Sequence, residues 1–84
     1  MIREIADETK NIQGLDHRLT LSLLPERRRN GAGDDCQYEL YYRWYNAGGG
    51  VQGSEVQWWN DADMRLILFG LDEGDSIFDH FELF

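Results

Sequence analysis

Apolar and polar residues alternate along residues 36–45, the most regular pattern in the chain. One face of such a strand carries Cys36, Tyr38, Leu40, Tyr42 and Trp44. The other face carries Gln37, Glu39, Tyr41, Arg43 and Tyr45, which is more aromatic than a plain solvent face. Because side chains alternate across a strand, this pattern predicts a strand with one core face and a second face that also contacts protein.

Two neighbouring segments have the same period. Residues 15–24 place Leu19, Leu21 and Leu23 on one side, and Pro25 closes the segment. Residues 51–59 follow a glycine-rich stretch at 46–50, which predicts a hairpin with the aromatic strand. We therefore predict strands over both segments.

The two ends of the chain are less regular. Ile2, Ile5, Ala6 and Ile12 are close to helical spacing, with Gly14 as a stop, which predicts a short N-terminal amphipathic helix. Residues 77–84 alternate imperfectly, and we predict a terminal strand there.

The segment after residue 59 has a strong helix start. Asn60 suits an N-cap, and Asp61 and Asp63 would lie in the first turn, where the helix dipole favours acids. Residues 64–69 hold five apolar residues in six, which fits either a helix or a buried strand. The helix is favoured because Leu and Met outnumber the single β-branched residue.

These elements together predict an α+β fold. We expect a single small domain over residues 1–84, with an antiparallel sheet of three to four strands. A short N-terminal helix and a second helix near residues 61–69 would complete it. A chain of 84 residues can bury roughly 60% of its unfolded surface, which is enough for one small core.

The charge of the chain is strongly acidic and unevenly placed. There are 16 acidic residues against 8 basic ones, giving a net charge of −8. Seven acids and a single base, Arg65, lie in residues 60–84, so that stretch carries −6. Such a field repels nucleic acid and anionic lipid and attracts basic protein surfaces. We predict no direct nucleic-acid partner and no membrane partner.

Cysteine content and hydropathy indicate the compartment. A lone cysteine, Cys36, excludes an internal disulfide and is typical of a reducing environment. The N-terminal residues lack the apolar run of a signal peptide, and no segment approaches the ~20 apolar residues of a membrane span. The sequence therefore predicts a cytoplasmic protein.

No motif of catalysis, cofactor binding or metal binding is present. There is no Cys-x-x-Cys or His-x-x-x-His spacing. Two minor alternatives stay open: a cation held by Asp75, Asp79 and His80, and a nucleophile pair of Cys36 with His80. We predict a protein that is not an enzyme and has no cofactor, metal or catalytic residue.

Two candidate binding surfaces remain. The acidic candidate site consists of Asp61, Asp63, Asp72, Glu73, Asp75, Asp79 and Glu82. The alternative is an outer sheet face with Tyr41, Arg43, Tyr45 and Trp59. Tyr, Trp and Arg are the residue types that dominate interface hot spots.

In length, net charge, α+β pattern and lack of a catalytic motif, the chain resembles small acidic phage-encoded inhibitors. These are the anti-CRISPR proteins and the anti-restriction DNA mimics. The resemblance implies an inhibitor that binds a basic, nucleic-acid-handling protein, such as a CRISPR–Cas effector or surveillance complex. It also implies that carboxylates stand in for phosphates and block access to DNA. The cluster Arg27, Arg28 and Arg29 departs from such a mimic, because a basic cleft would repel it unless it lies on the far side of the molecule.

A second hypothesis belongs to a different class. The chain would be an immunity protein, an antitoxin or a homodimeric interaction module that uses the aromatic sheet face. Charge would then only speed the encounter. Both a monomer and a homodimer are compatible with the sequence. Reversing Asp72, Glu73 and Asp75 to Lys separates the hypotheses, since only the first predicts loss of activity.

Overall fold

The structure is a computed structural model that describes residues 2–81. Its four strands form one antiparallel sheet, and they lie side by side in the order in which they occur along the chain. They are β1 (Arg3–Ile12), β2 (Leu15–Arg29), β3 (Asp35–Tyr45) and β4 (Val51–Trp59). Helix α1 (Asp61–Asp72) follows β4, and a 3-10 turn (Ile77–Asp79) comes after it. The described chain is therefore mostly sheet, with one helix and one 3-10 turn.

The N-terminal helix predicted from sequence is wrong, because those residues form β1. Ala6 pairs with Leu21 and Glu8 with Leu19, so alternate residues of β1 face the same side as the leucines of β2. Gln13 and Gly14 both have positive φ angles, 53° and 84°, which is the geometry of a tight hairpin turn. Gly14 thus ends a strand where the sequence pattern indicated the end of a helix.

The predicted terminal strand at residues 77–84 is also wrong for the residues that the structure describes. Ser76 caps the 3-10 turn: its side chain accepts from the amide of Phe78, and its own amide donates to Asp79. Ile77 and Phe81, four residues apart, are both buried. Asp79, which would share their face in a strand, is exposed, so the segment is not buried as a strand. Residues 82–84 of the predicted strand lie outside the described part of the chain.

The helix near residues 61–69 is present and continues to Asp72. Asn60 caps it, with its side chain 2.8 Å from the amide of Asp63. Gly70 is buried in the contact with the following turn, where a Cβ would lie 2.6 Å from the Asp75 carboxylate. Close packing, and not a helix end, accounts for this glycine.

The core lies between the sheet and α1. The face of the sheet toward α1, here called the covered face, contributes Leu19, Leu21, Leu40 and Tyr42. Met64 from α1, with Ile77 and Phe81 from the C-terminal segment, closes the core. The opposite face is called the open face. It carries two cross-strand pairs of β2 and β3, Arg18 with Arg43 and Thr20 with Tyr41. All the helical segments that the structure describes pack on the covered face.

Candidate functional site

The outward side of α1 carries exposed apolar side chains. Leu66 is 81% exposed and Phe69 is 64% exposed, the two highest values among the large hydrophobic residues described. With Ala62, which is also exposed, they follow the spacing i, i+4, i+7 and form one stripe along the helix. We call Ala62, Leu66 and Phe69 the α1 ridge.

The ridge exists because α1 packs on one layer only. Met64 and Gly70 are buried, and Ile67, Leu68 and Leu71 are half-buried against the sheet. The apolar run at residues 64–69 covers more than one side of a helix, so part of it must point away from the core. Exposed apolar surface of this kind, with polar residues around it, is typical of an interaction site.

Acidic residues lie at both ends of the ridge. Asp61 and Asp63 are in the first turn of α1, Asp72 is its last residue, and Glu73 and Asp75 follow. All five are exposed. A helix of 12 residues is about 18 Å long, so the two groups bracket the ridge from either end. We call these five residues the acidic rim.

Few local groups neutralise the rim. Asp75 lies 3.2 Å from His80, and Asp61 lies 3.4 Å from the hydroxyl of Tyr38, which can donate to it. Within residues 2–81, no Arg or Lys forms an ion pair with a rim carboxylate. Burial, and then the Asp61 charge, raise the pKa of Tyr38. The rim therefore presents its negative charge to solvent.

Two rim acids lie where they cost stability. The C-terminal end of a helix carries partial negative charge, and Asp72 and Glu73 add to it. The last turn of α1 contains no basic residue to offset them. Acids at Asp61 and Asp63, by contrast, are favourable at the N-terminus. Asp72 and Glu73 thus have no stabilising role in α1 itself.

The remaining acidic candidates do not join the rim. The carboxylate of Asp79 accepts a hydrogen bond from the Ser76 amide at 3.3 Å and helps to form the 3-10 turn. Glu82 lies outside the described residues. Five of the seven acidic residues predicted from sequence are therefore arranged around α1.

Only three of the four residues of the alternative aromatic site lie on the same face of the sheet. Tyr41, Arg43 and Tyr45 share the open face, and the Arg43 guanidinium lies 4.6 Å from the centre of the Tyr41 ring. Arg43 also donates to the Thr20 hydroxyl at 3.1 Å. These contacts hold Arg43 flat against the sheet.

Trp59 is not on that face, contrary to the sequence prediction. It pairs with Tyr38 on the covered face and contacts Phe81 edge to face, with ring centres 5.4 Å apart. The register of β3 with β4 instead places Trp58 on the open face, opposite Glu39. The sequence predicted the alternation correctly but not which tryptophan faced the core.

The three arginines of β2 are separate from the rim. Arg28 lies over the Trp58 ring, 5.6 Å from its centre, and Arg29 lies 3.8 Å from Asp35. Arg27 is exposed and borders a cleft with Leu24 and Pro25. None of the three forms an ion pair with a rim residue among the residues described.

The catalytic and metal-binding alternatives receive no geometric support. Cys36 is fully buried, and this burial raises the pKa of its thiol, with the Asp34 charge as the next cause. His80 contacts Asp75 and packs against Gly70, not Cys36. Within residues 2–81, no group of three His, Cys, Asp or Glu side chains could hold a metal ion.

Comparisons with protein-family models, curated proteins and solved structures found no match to this chain. In the part of the chain that the structure describes, no helix has the length and apolar character needed to cross a membrane. The candidate site is therefore defined by the α1 ridge and its acidic rim alone.

Proposed function

We propose that this protein is a non-enzymatic inhibitor that binds a basic, nucleic-acid-handling protein through α1. The α1 ridge would enter an apolar depression of the partner, and the acidic rim would contact Lys and Arg residues around it. The partner would be a CRISPR–Cas effector or surveillance complex, or another protein with a positively charged DNA-binding cleft. Occupying that cleft would block access to DNA.

One observation carries the proposal: two large apolar side chains stand exposed between two groups of carboxylates. Protein interfaces combine an apolar centre with a polar margin, and most of their binding energy comes from a few central residues. Leu66 and Phe69 have the position of such anchors. The rim supplies charge that speeds association with a basic cleft.

The cost of the C-terminal acids supports the same proposal. Negative groups at a helix C-terminus are each unfavourable by about 0.3–1 kcal/mol when exposed. Since Asp72 and Glu73 form no compensating ion pair among the described residues, their value would lie in binding. Arg65 is the one basic residue of α1, and it would reduce rather than add to the attraction of this helix for a basic partner.

The test begins with capture of the partner from nuclease-treated host lysate at about 0.1 M and about 1 M salt, where the Debye length is about 10 and about 3 Å. The expected partner binds DNA, is released at high salt, and loses DNA when this protein is added. A Tyr41→Ala/Tyr45→Ala variant serves as the control, because it changes only the open face. Full activity of a Leu66→Ala/Phe69→Ala variant would contradict the proposal.

A further inference from the structure

The two edges of the sheet differ in how well they are protected. Edge strands expose unpaired backbone groups, and proteins protect them with charges, prolines, bulges or covering elements. Half of the ten residues of β1 are charged, and its register shifts at Ile5. Glu8 of β1 also accepts hydrogen bonds from Ser76 and from the Ile77 amide, both at 2.8 Å. This edge is protected in three ways.

The β4 edge is less well protected. Its sequence contains one charged residue, Glu55, and no Pro or Lys. Gln52, near the start of β4, is the extra residue of a β-bulge. Residues 53–59 after it pair regularly with β3. Within the described chain, no strand pairs with the other side of β4. Val56, in the middle of this segment, is 46% exposed.

We propose that β4 pairs with β4 of a second copy of the chain, antiparallel, about a two-fold axis at Val56. The two sheets would join into one sheet of eight strands. In this register Val56 faces Val56 of the second copy, and Ser54 faces Trp58 of the second copy. Glu55 faces Gln57 of the second copy, and a Gln amide can donate to a carboxylate.

Charge excludes one neighbouring register, and side-chain pairing favours the Val56 axis. An axis one residue earlier, at Glu55, would place two carboxylates directly opposite each other, which is destabilising. The Val56 axis gives an apolar pair at the centre and a hydrogen-bonding pair beside it. Because each face of the strand meets the same face of its copy, the interface is self-complementary, as a two-fold dimer requires.

The dimer and the proposed α1 interface have opposite salt dependence. Each copy carries a net charge of −8, so two copies repel each other, and salt screens this repulsion. Salt should therefore strengthen the dimer and weaken binding of α1 to a basic partner. The proposed dimer uses β4 and the proposed partner site uses α1, so an experiment can disprove one proposal without disproving the other.

Sedimentation equilibrium of the full chain at about 0.1 M and about 1 M salt tests the proposal, with a dimer expected at high salt and millimolar protein. Val56→Lys should give a monomer under all these conditions. Ile5→Lys makes the same change on the β1 edge and should leave the dimer intact. A wild-type chain that stays monomeric throughout, or a dimer lost only in Ile5→Lys, would overturn the proposal.

Cross-linking tests the register itself. Opposite residues of an antiparallel pair have Cβ atoms about 4.5–5.5 Å apart, close to the spacing of a disulfide. Val56→Cys should therefore form a covalent dimer on air oxidation with a copper catalyst. Ser54→Cys should not, because the two copies of residue 54 would be about 13 Å apart. Equal cross-linking of the two variants, or none in either, would refute the Val56 axis.

Discussion

The carboxylate of Glu8 in β1 accepts a hydrogen bond from the hydroxyl of Ser76, 68 positions later in the chain, at 2.8 Å. The other oxygen of Glu8 accepts from the Ile77 amide, also at 2.8 Å. Glu8 therefore connects the first strand to the turn that places Ile77 in the core. Glu8 thus helps to hold the C-terminal segment on the sheet.

Glu8→Ala should destabilise the fold by about 1.5–3 kcal/mol, since hydrogen bonds to a charged group contribute in that range. The change leaves the amide of the buried residue Ile77 without its acceptor. Urea unfolding followed by tryptophan fluorescence measures the effect. Glu26→Ala is the matched control, because Glu26 is exposed in β2, and a loss of equal size there would contradict the role of Glu8.

The ion pair of Asp7 with Arg18 predicts a feature of acid unfolding. The hydrogen bond from Arg18 lowers the pKa of Asp7 from 3.8 to about 2. A carboxyl group with a lowered pKa stabilises the fold above its unfolded pKa, and this contribution disappears as the pH falls through the folded value. The stability from Asp7 is thus present above about pH 4 and lost toward pH 2.

In Asp7→Asn, the free energy of unfolding should change less steeply between about pH 4 and pH 2 than in the wild type. The difference at neutral pH should stay below about 1 kcal/mol, because exposed ion pairs contribute little. Urea titrations at several pH values measure both quantities. If the free energy of unfolding changed equally with pH in the two proteins, the Asp7–Arg18 ion pair would have no effect on acid unfolding.

The two adjacent tryptophans should differ in their effect on stability. Trp59→Ala removes a ring that packs on Phe81 and should cost about 3 kcal/mol, the lower end of the range for truncating buried aromatics. Trp58→Ala, on the open face beneath Arg28, should cost clearly less. Thermal unfolding of both variants measures the order. The reverse order would contradict the placement of Trp59 as the more tightly packed of the two.

Charge reversal at the end of α1 should change stability and binding in opposite directions. Asp72→Lys/Glu73→Lys should stabilise the isolated protein by about 0.3–1 kcal/mol per site, because cations favour a helix C-terminus. The same variant should lose binding to a basic partner, most strongly in the association rate. Thermal unfolding and binding kinetics on one preparation test both. A destabilised variant, or one with unchanged association, would contradict the role of these acids.

The two anchors of the α1 ridge should matter for binding and hardly at all for folding. Leu66→Ala and Phe69→Ala should each change the free energy of unfolding by no more than about 0.5 kcal/mol, as is usual for exposed positions. Each should weaken partner binding by about 2 kcal/mol, roughly 30-fold, if they act as hot spots. Ile67→Ala, on the packed side of α1, should show the opposite pattern.

Local signals predicted the strands at Leu19–Leu21 and Tyr38–Trp44 and the cap at Asn60 correctly, because alternation and capping depend on neighbouring residues. The N-terminal strand was missed because its apolar residues are few and its strand character comes from pairing with β2. The terminal 3-10 turn was missed because it depends on Glu8, a partner distant in sequence. Such long-range contacts leave no local pattern.

The candidate site was predictable in part. The concentration of acids after residue 60 was evident from the sequence, and five of them surround α1. The exposure of Leu66 and Phe69 was not predicted, although the signal was present: five apolar residues in six cannot all face one sheet. Which tryptophan faced outward depended on the register set by the bulge at Gln52, which no local rule specifies.

The most direct test of the account is competition for the partner's DNA. A fluorescent duplex is bound to the captured partner, and this protein is titrated in at about 0.1 M salt. Wild type and Tyr41→Ala/Tyr45→Ala should displace the duplex at similar concentrations, and Leu66→Ala/Phe69→Ala should need at least about 30-fold more. Stable binding of the duplex and this protein to the partner at the same time would contradict the claim that α1 occupies a DNA-binding surface.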